Sequence, residues 1–313
     1  TIQFLEKFLS KKTGKKIEEP NISSWRRTVS GDLTSVFRPY NGEKTDLPDP
    51  LDRNKFIQEI YSARFKELPD NYQTLTADEA KARARNPQSV LPQQESGTKP
   101  SNALKYELYA DGNLSDDGKH FVIRFKCGKD IFGEDALGSA FNVYAPGSYL
   151  NQTTQRFEPV KTWAFAVKAG AGLEYQWPLD SFEGEHYHLR VYGPNGFYRE
   201  FLGEKTDPVI QLTCSPVKNG NKTASHLKID VKNPGAKSIK LRVSVSKYER
   251  KEELFDVRAG ASHSFNIDTA ASHGWYDFTI LPPDADGAHI RYAGRLETGA
   301  DSISDPYMGR AQV

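Results

Sequence analysis

The feature that most constrains this 313-residue chain is a repeat written in strand periodicity. Ala164-Phe165-Ala166-Val167-Lys168-Ala169-Gly170 has a counterpart in Glu253-Leu254-Phe255-Asp256-Val257-Arg258-Ala259-Gly260. Each is followed by a glycine and an alternating aromatic stretch, Gly184, Tyr187, Leu189 and Val191 against Gly274, Tyr276, Phe278 and Ile280. Each of these runs into a proline turn, Gly193-Pro194-Asn195-Gly196 or Pro282-Pro283-Asp284, and then into Arg199-Glu200-Phe201-Leu202-Gly203 or Ile290-Arg291-Tyr292-Ala293-Gly294. Upstream, Phe121, Ile123 and Phe125 are matched by Leu227, Ile229 and Val231, and the strand around Phe141 and Val143 by Ile239, Leu241, Val243 and Val245. Alternation at period two buries one face of a strand and wets the other. Two copies roughly one hundred residues apart read as a duplicated domain, since a solenoid repeats every 20–50 residues or so. The expected fold is mainly β, two tandem antiparallel β-sandwiches, with about seven short strands before residue 205.

The first hundred residues are written differently. Ile2, Leu5, Phe8 and Leu9 recur at helical spacing and stop at Thr13-Gly14, which predicts a short amphipathic helix in need of a partner. Phe56, Ile57, Ile60 and Tyr61 predict a second helix, and Thr76 followed by Glu79 at capping-box spacing opens a third. From Pro87 to Pro100 the chain is rich in Pro, Gln and Ser without periodicity, the composition of a linker or covering segment. The expected division is a mostly helical and irregular part at 1–98, sandwiches at 99–206 and 207–298, and a tail at 299–313.

Charge narrows the partners. Lys and Arg number 42 against 41 Asp and Glu, so the broad basic field behind non-specific nucleic-acid binding is missing, and no nucleic acid is expected. Cys127 and Cys214 stand far apart without metal-ligand spacing. They are expected to be buried thiols, with a disulfide as the minority alternative. No apolar run approaches the roughly 18 residues of a membrane span, and the first residues lack the pattern of a signal peptide. Because Thr1 opens what reads as a running helix, the chain is expected to be a fragment or processed product.

Pro20-Asn21-Ile22-Ser23, Trp25-Arg26-Arg27 and Gly31-Asp32-Leu33-Thr34-Ser35-Val36-Phe37 together resemble the segment that closes the catalytic domain of bacterial phospholipases C of the alkaline-phosphatase superfamily. Thr1-Ile2-Gln3-Phe4-Leu5-Glu6 resembles the helix after their last active-site region. Tyr106-Glu107-Leu108-Tyr109-Ala110-Asp111-Gly112 and Tyr192-Gly193-Pro194-Asn195-Gly196-Phe197 are similar to their paired C-terminal domains. The resemblance implies that residues 1–98 are the end of an α/β phosphoesterase domain. It further implies a parent enzyme that hydrolyses phospholipids to diacylglycerol and a phosphorylated head group such as phosphocholine. Nucleophile and divalent metal would sit in the catalytic domain N-terminal to this chain. No catalytic, cofactor or metal residue carries over to a position here, so the chain alone is expected to be inactive and without cofactor. The partners implied are the missing catalytic domain and a phospholipid or membrane surface, and the location implied is secreted or periplasmic. The alternative is a freestanding β-sandwich module for carbohydrate or protein.

The residues with chemistry to offer each carry a plainer reading. His186 and His188 flank Tyr187 and should project from one strand face, a geometry open to metal or ligand contact but also ordinary for a wetted face. Arg26 and Arg27 suit a phosphate group, or they lock the closing loop by pairing with an acid such as Asp32. Trp177, Phe197 and Tyr198 are candidates for lipid or ligand contact, among aromatics that also include Tyr144, Tyr149, Trp163, Trp275 and Tyr307. The alternative is that such rings anchor cores. Ser225-His226, Ser262-His263 and Ser272-His273 are adjacencies rather than triads. Gly193-Pro194-Asn195-Gly196 is a turn, lacking the lysine and helix of a phosphate loop.

Overall fold

The computed structural model describes residues 2–23, 26–27, 42, 50–68, 70, 72–85, 98–219, 222–245, 248, 252–282 and 287–307. Trp25, the Gly31–Phe37 motif and most of the expected linker lie outside the described residues. The chain divides into two compact units, one of residues 1–37 and 98–306 and another of 38–97 and 307–313.

The helices expected from periodicity are present. In the first unit α1 spans Ile2–Thr13, and Gly14 takes up a left-handed φ of 66° just past its end, where a missing Cβ removes the strain. In the second unit α2 spans Arg53–Ser62 and α3 spans Ala77–Arg85. Asp52 caps α2 by accepting the Asn54 and Lys55 N–H groups. Thr76 and Glu79 cap α3 reciprocally, Glu79 Oε2 accepting the Thr76 N–H and Thr76 Oγ1 the Glu79 N–H. None of the apolar stripe of α1 is covered, with Phe4 69% and Phe8 52% exposed.

From residue 100 the first unit is antiparallel β-structure. The strands are β1 (Pro100–Ser101), β2 (Leu108–Leu114), β3 (His120–Cys127), β4 (Ser139–Asn151), β5 (Arg156–Val167), β6 (Gly172–Pro178), β7 (His186–Tyr192) and β8 (Tyr198–Glu204). There follow β9 (Gln211–Asn219), β10 (Lys222–Lys232), β11 (Ile239–Val245), β12 (Glu253–Val257), β13 (Ser262–Asp268), β14 (Trp275–Leu281), β15 (His289–Arg295) and β16 (Ser302–Ile303). The order β2-β3-β6 in one small sheet recurs as β9-β10-β13, and β5-β4-β7-β8 recurs as β12-β11-β14-β15. Each small sheet closes a core of its own. Phe121, Ile123, Phe125, Phe141, Val143, Leu189, Val191 and Phe201 fill the first, and Leu227, Ile229, Val231, Leu241, Val243, Phe278 and Ile280 the second. These are the alternating apolar positions read from the sequence, and each large ring or aliphatic side chain so buried contributes about 1.5–3 kcal/mol. Gly112 is required where β2 passes the core, because a Cβ there would meet the Phe121 ring at 2.7 Å and the Phe201 ring at 2.9 Å.

The two sandwiches are not merely strung in tandem. The last strand of each large sheet pairs with the other, β8 with β15, in the register Phe201↔Ile290, Glu200↔Arg291 and Arg199↔Tyr292. The two four-stranded sheets thereby become one eight-stranded sheet, and Ile290 packs against both cores. This pairing satisfies two strand edges that would otherwise stay open. β1 pairs with β16 and ties residue 100 to residue 303.

Candidate functional site

The residues flagged in the sequence do not converge on one place. Arg27 grips Glu6 on α1 with two parallel hydrogen bonds of 2.9 and 2.8 Å and reaches the Glu19 carbonyl oxygen at 2.9 Å. The guanidinium beside it, helped by the Glu19 N–H, holds the Glu6 carboxyl down at about 2. Among the described residues Arg27 pairs with Glu6; Asp32, the acid expected from the sequence, lies outside them. Arg26 is exposed. Its backbone N–H bonds Ser23 Oγ.

Two of the aromatics expected at a ligand surface are interior. Trp177 is 0% exposed and packs edge-on against Trp163 and Tyr175. Phe197 is 7% exposed and meets the Phe141 ring edge-on. Both end up inside because β6 and the β7–β8 turn direct them into the first core, where a large ring releases more water than at a wet loop tip. Trp275 is likewise buried, and its Nε1 donates to the Ile303 carbonyl oxygen. Tyr198 is half-buried on the outer sheet face, where it contacts Tyr192 edge-on and lies beneath Arg291.

His186 and His188 do share a face, opposite the buried Tyr187, Leu189 and Val191. That face is wetted at His186 and Arg190, as expected of outward polar residues, and it also carries an ion ladder. His188 Nε2 lies 2.7 Å from Glu200 Oε1, and Arg190 Nε donates to the same oxygen at 2.8 Å. From the second sandwich His289 Nε2 approaches Glu200 Oε2 at 3.5 Å, and Arg291 makes a two-bonded pair with Asp277 at 2.8 and 2.6 Å. Burial pushes the Glu200 carboxyl up, but bonds from His188, His289, Arg190 and Tyr198 outweigh it and hold it far below the usual range. Glu200 in turn raises His289. His186 pairs with Glu204 at 3.5 Å on the exposed edge of this ladder. Among the described residues no group of three or more His, Cys, Asp or Glu is arranged to hold a metal ion.

Beneath the sheet the seam holds a second polar cluster that sequence reasoning missed. Arg199 is buried between the Phe197 and Tyr292 rings, with its guanidinium carbon 4.1 and 4.2 Å from their centroids. It donates to the carbonyl oxygens of Tyr198 and Ala293 and to Tyr276 Oη. Tyr292 Oη donates to Asp111 Oδ1 at 3.0 Å. Burial lifts the Asp111 carboxyl to about 6, while Arg199 and the Tyr292 hydroxyl pull the other way. Burial, with the Asp111 carboxylate adding to it at Cys214, pushes the thiols of Cys127 and Cys214 up to about 12, and both are free, which is a structural rather than a reactive setting. A small open cleft runs along this seam, lined among others by Glu107, Asn195, Arg199, Tyr276, Arg295 and Glu297. An Arg at a strand position next to an aromatic turn was visible in the sequence, but its burial was not.

No acyl-transfer or hydrolytic constellation emerges from the Ser-His adjacencies. Ser272 Oγ donates to the Trp275 and Thr269 carbonyl oxygens, and the His263 ring stacks on Phe255. What the site geometry offers is cohesion along the seam between the sandwiches.

Comparison with known proteins places this architecture. The family described as bacterial phospholipase C, C-terminal domain, matches residues 100–204 and 209–295. A non-hemolytic phospholipase C of Pseudomonas aeruginosa is 30% identical over 97% of this chain and 40% of its own length. A non-hemolytic phospholipase C of Burkholderia pseudomallei is 29% identical over 94% of this chain and 38% of its own, and a hemolytic phospholipase C of Pseudomonas aeruginosa 27% over 96% and 41%. The chain thus spans about 40% of the length of the curated relatives it matches. Among solved structures, red sea bream transglutaminase overlaps 62% of this chain and 31% of its own at 9% identity and a TM-score of 0.20, too remote to bear on fold or function. With the match falling on both sandwiches in turn, the chain belongs to the bacterial phospholipase C family through its C-terminal domain.

Proposed function

We propose that this chain is the accessory C-terminal region of a phospholipase C that releases a phosphorylated head group from phospholipid, and that its sandwiches brace a catalytic domain lying N-terminal to them. The two sandwiches are read as a duplication, supported by the repeated strand order. The observation that carries the bracing role is the uncovered stripe of α1. Ile2, Phe4, Leu5, Phe8 and Leu9 are all exposed, on a helix too short to be stable by propensity alone. The Glu6–Arg27 clamp ties that helix to Glu19 and Arg27, and the described residues leave its apolar side exposed to a larger body. Because the relatives extend well beyond the matched part, the occupant is the phosphoesterase portion of such an enzyme. Any divalent metal and nucleophile belong to that portion, and secretion or periplasmic residence follows the enzyme as a whole. A carbohydrate-binding role is disfavoured by the burial of Trp177, Phe197 and Trp275.

The test is phosphocholine release from phosphatidylcholine by this chain, with a full-length relative as control, alongside sedimentation with phosphatidylcholine vesicles. The chain alone is expected to release nothing. Mixed with a relative's isolated phosphoesterase portion it is expected to raise that portion's thermal stability, an effect lost in Phe4→Ser/Phe8→Ser. Hydrolysis by the chain alone, or no stabilisation by the wild type, refutes the bracing role, and vesicle binding by the chain alone would assign the sandwiches to lipid contact instead.

A further inference from the structure

In the second unit α2 carries a full apolar face with nothing of its own to lay it on. Phe56, Ile57, Ile60 and Tyr61 recur at i, i+1, i+4 and i+5 and so share one side of the helix, with Asn54, Lys55, Gln58, Glu59 and Ser62 on the other. The face runs on through the short turn Ala63–Phe65 to Phe65 and Leu68. All six of these apolar side chains are half exposed or more, and no described residue between 50 and 85 is buried. At its far end the face is already ordered. Arg64 donates to Tyr61 Oη at 2.6 Å, and its guanidinium carbon lies 4.2 and 4.5 Å from the centroids of the Tyr61 and Phe65 rings. A contiguous apolar patch with a Tyr, an Arg and a Phe locked together at its edge is the make-up of a protein interface.

Charge and extent point to the occupant. Arg53, Lys55, Arg64 and Lys66 are interleaved with Asp52, Glu59 and Glu67, so the segment lacks the basic polar face by which an amphipathic helix holds an anionic lipid surface. The C-terminal-domain match begins at residue 100, whereas the relatives align over 94–97% of this chain. α2 therefore lies in a stretch that the relatives share outside their C-terminal domains, next to the larger part of their length that this chain does not span. At ten residues α2 is also too short to hold itself in water, and the Asp52 cap fixes only where it starts. We propose that α2 and the turn after it form a second docking face, distinct from the stripe of α1, which seats on the phosphoesterase portion of a phospholipase C and becomes a stable helix only on that surface. The identity of the occupant rests on the bracing reading. What is added is where the partner binds and that the binding folds the segment, so that ordering and association occur in one step.

The experiment is amide hydrogen exchange on the 313-residue chain, alone and with an excess of the phosphoesterase portion of the Pseudomonas aeruginosa non-hemolytic relative. In the chain alone the amides of residues 56–62 are expected to exchange within about tenfold of an unstructured peptide, the level of a frayed helix. With the partner they are expected to slow by about a hundredfold or more. Phe56→Ser/Ile60→Ser should abolish that slowing and leave the protection of α1 in place, and because both side chains are exposed the rest of the fold does not depend on them. Protection at α1 without protection at α2 overturns this proposal and spares the bracing role, whereas protection at neither overturns both. Slow exchange at α2 in the chain alone overturns it as well, since the face then has an occupant within the chain or, if protection grows with chain concentration, in a second copy. Slowing by phosphatidylcholine vesicles in place of the protein assigns the face to lipid and overturns it too.

Discussion

Asp111 offers the most direct reading of how the seam is held. Its carboxyl accepts the Tyr292 hydroxyl, lies in the field of Arg199, and is lifted by burial from the usual 3.8 to about 6. Because the folded value is raised, its contribution to stability is fully present below pH 3.8 and is lost as pH rises through about 6. The rise of roughly two units corresponds to about 3 kcal/mol, of which about 2 falls between about pH 4.5 and 7.5. Asp111→Asn keeps the shape and the acceptor for Tyr292 and removes the titration. Urea unfolding of both proteins across that range should show the variant gaining about 2 kcal/mol on the wild type as pH rises, whatever its offset at any one pH. A difference between the two curves that stays constant with pH would refute a buried, titrating Asp111. Two separate unfolding transitions, with only one responding, would refute the shared seam.

Other consequences of the same contacts are open to measurement. Glu200→Gln removes the buried anion that His188, Arg190 and His289 share and should cost about 3–5 kcal/mol at neutral pH in urea unfolding, while the His289 pKa, followed by NMR, falls toward its ordinary value. His289→Gln should remove a stabilisation that is complete below pH 6.5 and fades as pH rises through the raised value, so the variant approaches the wild type in alkali. Ile290→Ala, at a side chain shared by both cores, should cost about 2–5 kcal/mol and lower a single melting transition for the two sandwiches together. Gly112→Ala should destabilise by about 1–3 kcal/mol in the same assay, since the Phe121 and Phe201 rings leave no space for a methyl group.

Much of the β architecture was legible before any coordinates, for identifiable reasons. A half-buried strand must alternate, so Phe121, Ile123 and Phe125 or Leu227, Ile229 and Val231 announce both the element and its inward face. The same alternation placed His186 and His188 together, opposite Tyr187, Leu189 and Val191. Thr76 and Glu79 announced a helix start because the box is a local exchange of hydrogen bonds that needs nothing from the rest of the chain. The aromatics were less legible. Composition says a ring is present, but whether Phe197 sits on a loop tip or under one depends on the twist of the turn that carries it.

The sequence by itself determined the strands, their inward faces and the helical character of α1, all of them consequences of short-range periodicity and local capping. Only the tertiary structure decided that β8 and β15 pair, because an edge pairing is made by backbone groups that every residue carries and leaves no side-chain signature. It also decided that Arg199 and Arg295 are buried at one seam with Asp111, Glu107 and Glu297. Those residues are up to nearly two hundred positions apart, as the Asp111–Tyr292 and Ser101–Arg295 bonds are, and the cost of burying each charge is set by neighbours that only the folded chain supplies.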